Sequence, residues 1–301
     1  MKPPQRILAI HDLSGFGHTS LLAAIPILYR MGIEVAALPT ALLSTNTEHK
    51  DFRMFDTTAL MEAHLAHWQG LKQKYDAIYS GFLGNPKQVE LLLQNLARLK
   101  KPEALFLLDP VLADNGRLYS CYTWEMVAAM RKLLPVSDII TPNLSEAAFL
   151  LGNSYPESSA EVDIISWCRQ LSDYGPRYVV ITSAPDFAAP SSTLGSIKPH
   201  NPKQSQGVRQ FQGIAYYDRD TQNKQYMDCN YLPISYPGTG DCFSSLLLGG
   251  VLNGLSVLRS ALGAAKFLHW AIELSMGIVA DTRDGIALAT ALARNPLDFF
   301  V

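Results

Sequence analysis

The chain is short of several features that would point to a function class at once. Its four cysteines, Cys121, Cys168, Cys229 and Cys242, are scattered with no paired spacing. That excludes a disulfide framework and a zinc-ligand set, and it fits a reducing compartment. The formal charge is only −2, so there is no basic field for a polyanion and nucleic acid is not expected as a partner. Long hydrophobic runs are also missing. Ile7 to Ile10 follows Met1-Lys2-Pro3-Pro4-Gln5-Arg6 directly and is too short for a signal-peptide core or a membrane span, so no membrane association and a cytoplasmic location are expected. No internal repeat or interdomain linker is visible. What remains, 48% hydrophobic and 17% charged residues over 301 positions, suits a globular protein with a substantial core.

Hydrophobic patterning predicts strands at Arg6–Ile10, Ile33–Leu38, Asp76–Ser80, Ala104–Leu108, Asp138–Thr141 and Arg177–Thr182. Helices are predicted between them at Thr19–Met31, Thr57–Lys72, Lys87–Leu99, Thr123–Leu134, Leu144–Leu151 (stopped by Gly152) and Ala160–Asp173. In the second helix Leu60, Met61, His64, Leu65, Trp68 and Leu71 form a core-facing stripe, so His64 and His67 need no metal. A segment from Ala184 to about Arg209, rich in Pro, Ser, Gly and Lys, reads as a flexible insertion. A hairpin, Gln210–Asp218 and Lys224–Leu232, follows it. Helices from Cys242 to about Asn253, Val257 to Val279 and Gly285 to Arg294 close the chain.

Strand and helix in alternation argue a three-layer α/β/α sandwich with a mostly parallel central sheet. Ligands bind such sheets beyond the carboxyl ends of the strands. That rule gathers the polar segments His11–Ser14, Ser44–Thr47, Ser80–Phe82, Asp109–Asp114, Thr141–Glu146 and Thr182–Ser183 onto one edge.

The segment with most chemistry is Pro237-Gly238-Thr239-Gly240-Asp241-Cys242-Phe243. Two glycines free the backbone to point consecutive N–H groups at one spot, the following helix adds the positive end of its dipole, and Asp241 stands beside this anion site as a proton acceptor. The alternative is a loop with an ordinary N-cap. Three other segments each have a plain structural explanation: Asp109-Pro110-Val111-Leu112-Ala113-Asp114 as a solvated turn, Thr141-Pro142-Asn143-Leu144-Ser145-Glu146 as a helix cap, and Thr182-Ser183 as the start of a loop.

Their order along the chain resembles the ribokinase-like superfamily, and within it the pyridoxal (vitamin B6) kinases. The resemblance covers nearly the whole chain, read as a single kinase domain over residues 1–301, with the hairpin before Gly-Thr-Gly-Asp. Ser80-Gly81-Phe82-Leu83-Gly84 and Leu43-Ser44-Thr45-Asn46-Thr47 add to it. The resemblance implies that Asp241 is the base for a substrate hydroxymethyl group attacking the γ-phosphate of ATP, with the amides of Gly238 to Gly240 as the anion hole. It implies that Asn143 and Glu146 order the triphosphate and Mg²⁺, that Asp109 and Asp114 stand near the cation and phosphates, and that Thr141, Thr182, Ser183 and Thr239 contact nucleotide. K⁺ and a homodimer are also implied. On the substrate side it implies contacts from Asp12, Ser14, Thr47 and Asp241, with Phe82 covering the pyridine ring.

Asp12 replaces the serine of well-known pyridoxal kinases, and Ser44-Thr45-Asn46-Thr47 replaces Ser-Asn-His-Thr. His11-Asp12-Leu13-Ser14-Gly15 is closer to a bacterial pyridoxamine kinase branch. One rival is hydroxymethylpyrimidine kinase of thiamin synthesis, whose Ser-Gly-Gly-Gly stretch His11–Gly17 does not reproduce. Another is a non-catalytic pyridoxal phosphate or nucleotide-binding homologue, although such proteins usually lose the base or the anion hole and both are kept here.

Overall fold

The computed structural model describes residues 4–156, 162–184, 213–229, 232 and 234–300. The expected insertion after Ala184, the start of the helix expected from Ala160, and the first residues of the hairpin lie outside these. In chain order the strands are β1 (Arg6–Ser14), β2 (Glu34–Leu43), β3 (Met54–Asp56), β4 (Tyr75–Ser80), β5 (Lys100–Leu108), β6 (Ala113–Asp114), β7 (Arg117–Leu118), β8 (Ile139–Ile140), β9 (Tyr178–Ala184), β10 (Gly213–Asp218) and β11 (Asn223–Asp228). The helices are α1 (Ser20–Arg30), α2 (Thr58–Gly70), α3 (Pro86–Leu99), α4 (Trp124–Arg131), α5 (Leu144–Leu151), α6 (Ile164–Asp173), α7 (Thr239–Leu252), α8 (Val257–Met276) and α9 (Leu288–Ala291).

Among the described residues nine strands form one sheet in the order β11-β10-β9-β8-β5-β4-β1-β2-β3. It is parallel from β9 through β2 and antiparallel at both edges. Side chains alternate across β1, so Leu8 and Ile10 pack on one face with α2 to α6 while Ile7 and Ala9 pack on the other with α1, α7 and α8. Both faces are covered, which gives the three-layer sandwich. The chain leaves β1 for β2 on one side and later returns to β4 on the other. The carboxyl end of β1 is therefore a topological switch point, where a crevice opens.

Several boundaries differ from the sequence expectation. β1 does not stop at Ile10 but runs to Ser14, with a register shift between His11 and Leu13. The polar residues expected in a loop stay in the strand because they bond to one another. β2 continues to Leu43, where the short edge strand β3 pairs with it. On α2 the buried stripe is narrower than expected: Met61 and Leu65 are buried, but Leu60 and Leu71 are exposed. The last expected helix is only the four residues of α9, between 3₁₀ turns at Thr282–Asp284 and Pro296–Phe299.

Candidate active site

A cleft of about 730 Å³ opens beyond the strand ends, and every residue to which the resemblance gives a role lines it. At its centre is the start of α7. The helix begins at Thr239 rather than Cys242, because Gly238 makes the turn into it as a left-handed N-cap with φ +84°. A Cβ at Gly238 would strike the carbonyl oxygen of His18, so glycine is required there. Gly240, by contrast, has ordinary helical backbone. Apart from its own helical turn, no atom of the described residues lies within 4 Å of where its Cβ would be, which leaves this part of the first turn of α7 uncovered by them. The Thr239 hydroxyl donates to the Tyr236 carbonyl at 3.1 Å and fixes the entry to the turn.

Asp241 is the third residue of α7, and its carboxylate caps none of the helix's own amides. Oδ2 accepts from the Ser20 amide at 2.7 Å, and Oδ1 lies 3.0 Å from Nε2 of His11. Ser20 holds that amide in place with a left-handed backbone, φ 55°, which is uncommon for a residue with a side chain. His11 Nδ1 lies 2.8 Å from Asp12 Oδ1, and the Ser14 hydroxyl donates to Asp12 Oδ2 at 3.1 Å. Burial opposes a charge on His11, but the Asp241 charge and the bond to Asp12 outweigh it and raise its pKa to about 10. Burial likewise opposes the Asp12 charge, and the bonds from His11, Ser20 and Ser14 win, so Asp12 is held below the usual carboxylate range.

A second buried carboxylate faces this group from the end of β5. Asp109 is raised to about 7 by burial and then by repulsion from Asp241, against the bond its Oδ2 accepts from the Ser244 hydroxyl at 2.9 Å. The Ser244 oxygen is in turn 2.8 Å from that of Thr141. Glu146, 3% exposed, is pushed well above its ordinary pKa by burial and by Asp109. Its oxygens accept from the amides of Asn143 at 2.8 Å and Leu112 at 3.1 Å, while Asn143 Oδ1 accepts from the Glu146 amide at 3.0 Å. The helix cap that the sequence suggested is therefore present as a full capping box. Asn143 Nδ2 also donates to the Ala113 carbonyl at 2.8 Å, tying the start of α5 to β6. Asp114 is exposed at the edge of the cleft and accepts from Asn115.

The other expected residues divide between the two ends. Thr182, near the end of β9, pairs with Asn143 and its amide donates to the Pro142 carbonyl at 2.9 Å, and Ser183 beside it is exposed with φ 53°. Beyond them Ile214, Ile234, Phe243, Leu268 and Ile272 form an apolar wall that the sequence reading did not identify. Towards β2, Thr47 is exposed. Phe82, 5% exposed, stacks on Tyr122 with ring centroids 5.2 Å apart and so offers the cleft little of its surface. Sequence reasoning also missed His11, Ser20 and Ser244 as partners of the central carboxylates. Only His11 carried a visible signal, an ionisable side chain directly after a buried strand and beside an aspartate.

A magnesium ion suits this donor set. It binds through one or two carboxylates together with waters and phosphate oxygens, and Asp109 and Glu146 are buried carboxyl groups whose ionised forms a cation would stabilise. Among the described residues no group of three or more His, Cys, Asp or Glu is gathered closely enough to enclose a metal, so the phosphates would complete its shell.

A three-layer α/β fold with an open helix N-terminus, a clamped carboxylate beside it and further buried carboxylates across the cleft defines the class, a ribokinase-like kinase. Residues 23–283 match the profile of the phosphomethylpyrimidine kinase family, and the chain belongs to that family, among its pyridoxal kinases. A Bacteroides thetaiotaomicron protein assigned as a phosphomethylpyrimidine kinase, solved with pyridoxal, is 37% identical. The match covers 97% of this chain and 95% of that one at a TM-score of 0.85. The pyridoxal kinase of Lactobacillus plantarum is 28% identical with a TM-score of 0.80, covering 96% and 95% of the two chains. A pyridoxine/pyridoxal/pyridoxamine kinase of Bordetella bronchiseptica is 29% identical over 278 residues, 90% of this chain and 89% of the relative.

Proposed function

We propose that the chain transfers the γ-phosphoryl group of ATP to the 5′-hydroxymethyl group of a B6 vitamer, in salvage of pyridoxal 5′-phosphate. The carrying observation is the Asp241 carboxylate, held on both oxygens beside the open first turn of α7. The vitamer lies at the end of the cleft bounded by Asp12, Ser14, Thr47 and Phe82. The nucleotide lies at the other end, with its base against Ile214, Phe243 and Ile272 and its phosphates near Thr141, Asn143, Thr182, Ser183 and Thr239. Asp241 accepts the hydroxyl proton as the substrate oxygen bonds to the γ-phosphorus, the bond from that phosphorus to the bridging oxygen breaks, and ADP leaves. The amides of Gly238 to Gly240 and the helix dipole stabilise charge on the transferring group. Magnesium, held by Asp109 and Glu146, would supply neutralisation of the phosphate charge. K⁺, a homodimeric assembly and a single kinase domain over residues 1–301 belong to the same proposal and rest on the family resemblance, and a cytoplasmic setting belongs to it on the cysteine pattern and the short apolar run Ile7 to Ile10.

The competing hydroxymethylpyrimidine reading shares the family. The relative solved with pyridoxal favours a B6 vitamer here. The purified chain with MgATP should form ADP in proportion to pyridoxal, pyridoxine or pyridoxamine supplied. Turnover with hydroxymethylpyrimidine alone would overturn the assignment, and no turnover with any of these would favour a non-catalytic homologue.

A further inference from the structure

Proton acceptance by Asp241 does not by itself require a histidine beside it, yet the fold spends its switch point on one. His11 is 1% exposed. A buried histidine is usually neutral, with one ring nitrogen donating and the other accepting. Here each ring nitrogen faces its own carboxylate, Asp241 at 3.0 Å and Asp12 at 2.8 Å, so the form that satisfies both is the imidazolium. The Asp12 amide is also 3.0 Å from Nδ1. A nitrogen donating to Asp12 Oδ1 cannot accept that bond as well, and the pair of carboxylates favours donation. Two further neighbours crowd the ring where it sits. Tyr79 meets it edge-on at 6.0 Å between centroids, and a Cβ on Gly81 would overlap the ring itself. The glycine in Ser80-Gly81-Phe82, unexplained by substrate or nucleotide binding, is thus the space in which His11 sits.

We infer that His11 is a positioning residue for Asp241. Together with the Ser20 amide it tethers both carboxylate oxygens, and Asp12, itself held by Ser14, anchors His11 from behind. The inference rests on Asp241 being the base. A carboxylate with one fixed donor on each oxygen cannot rotate, so its free lone pairs keep one direction towards the substrate hydroxyl. Freedom to turn is costly, since a misplacement of ~1 Å can lower the rate by about 10²-fold. Asp12 therefore acts on the reaction through His11 as well as bordering the vitamer end of the cleft.

The test compares His11→Gln, Asp12→Asn, Gly81→Ala and Asp241→Asn in the full-length protein, following kcat, KM for pyridoxal and ATP, and ¹⁵N shifts of histidine ring nitrogens. His11→Gln and Gly81→Ala should lower kcat by roughly 10- to 100-fold, with both KM values moving less than about threefold. Asp12→Asn keeps an acceptor for Nδ1 and should cost less. Both His11 nitrogens should read as protonated in the wild-type protein at pH 7 to 8. If Asp241→Asn keeps its turnover, the reading of Asp241 as base fails and this inference goes with it. If Asp241→Asn is inactive while the other three keep kcat, only the positioning role is lost. A raised KM at unchanged kcat, or a neutral His11 ring at pH 7, overturns it too. Should His11→Gln not fold, the two other variants and the ring shifts still decide.

Discussion

Asp241→Asn separates the two interpretations of the Gly-Thr-Gly-Asp turn, and the structure changes what the substitution should do. An N-cap aspartate tolerates asparagine with little loss. Gly238 is the cap of α7, however, and the Asp241 oxygens accept bonds from outside that helix, from Ser20 and His11. Asparagine keeps one acceptor and places an NH₂ group where the other oxygen was. Turned towards Ser20, it would set two donors against each other at the present 2.7 Å. Turned towards His11, it forces the ring to give up its proton at Nε2 and accept there from the NH₂, while Nδ1 still donates to Asp12. The second arrangement is cheaper, but it loses the charge pair, and a stability loss of about 1–3 kcal/mol is expected, the cost of disrupting a buried, charge-assisted bond. The pH dependence follows in sign. His11 is raised from 6.5 to about 10 in the folded protein, so its contribution is complete below pH 6.5 and disappears as pH rises through about 10. The gap between wild type and variant should be widest at pH 6 and close towards pH 10. Turnover should fall by roughly 10²- to 10⁴-fold with loss of the base, while ATP still binds at the amides of α7. Chemical denaturation from pH 6 to 10, single-turnover rates and nucleotide titration on one preparation measure all three. Unchanged turnover would remove Asp241 from the chemistry, and unchanged stability at pH 6 would refute the clamp.

Asp109→Asn should have the opposite effect on stability. A carboxyl group raised to about 7 by burial and by Asp241 costs the folded state stability as pH climbs from about 4 through 7, so the variant should be more stable than wild type above pH 7, by ~1–2 kcal/mol. It should lose most turnover, and on the proposed reading Mg²⁺ should raise the melting temperature of the wild type more than that of the variant; a lower melting temperature of the variant at pH 8 would count against this account. Glu146→Gln removes one of the acceptors used by the Asn143 and Leu112 amides. It should therefore lower stability by about 1–3 kcal/mol and shift the Mg²⁺ dependence of turnover to higher concentration. An unchanged Mg²⁺ curve would leave Glu146 as a helix cap alone.

The alternation of apolar strands and amphipathic helices made the sandwich legible, because each element has to bury one face and the period of its apolar residues shows which. The gathering of the polar segments into one cleft followed from chain topology and needed no side-chain knowledge. Interactions between polar groups distant in sequence were illegible. His11 and Asp241 are 230 positions apart, and Asp109 and Ser244 are 135 apart. The same omission misplaced the end of β1, since a strand ending in His-Asp-Leu-Ser is read as solvated unless its partners are known. Gly238 and Gly240 looked equivalent in the sequence, yet one is fixed by its backbone angle and the other only by the open space above it.

The distribution of charge in the cleft suggests why it should select a metal–nucleotide complex over free nucleotide. Four carboxylates, Asp12, Asp109, Glu146 and Asp241, are buried around it, and the one histidine among them is divided between Asp12 and Asp241. Asp109 has only a hydroxyl donor, and Glu146 is held by backbone amides, which ease its burial without cancelling its charge. Unpaired carboxyl groups, whose ionised forms burial and mutual repulsion disfavour, are therefore concentrated on the side of β5 and α5, opposite the donors at the start of α7. On the proposed reading, a triphosphate that arrives with a divalent cation lets those carboxyls ionise against it, whereas a bare triphosphate disfavours their ionisation further. A neutral hydroxymethyl group pays no such penalty on its way to Asp241. With Asp241 tied to His11 and Asp109 left without such a partner, the two neighbouring carboxyl groups have different surroundings, which fits the proposal that one takes a proton and the other a cation.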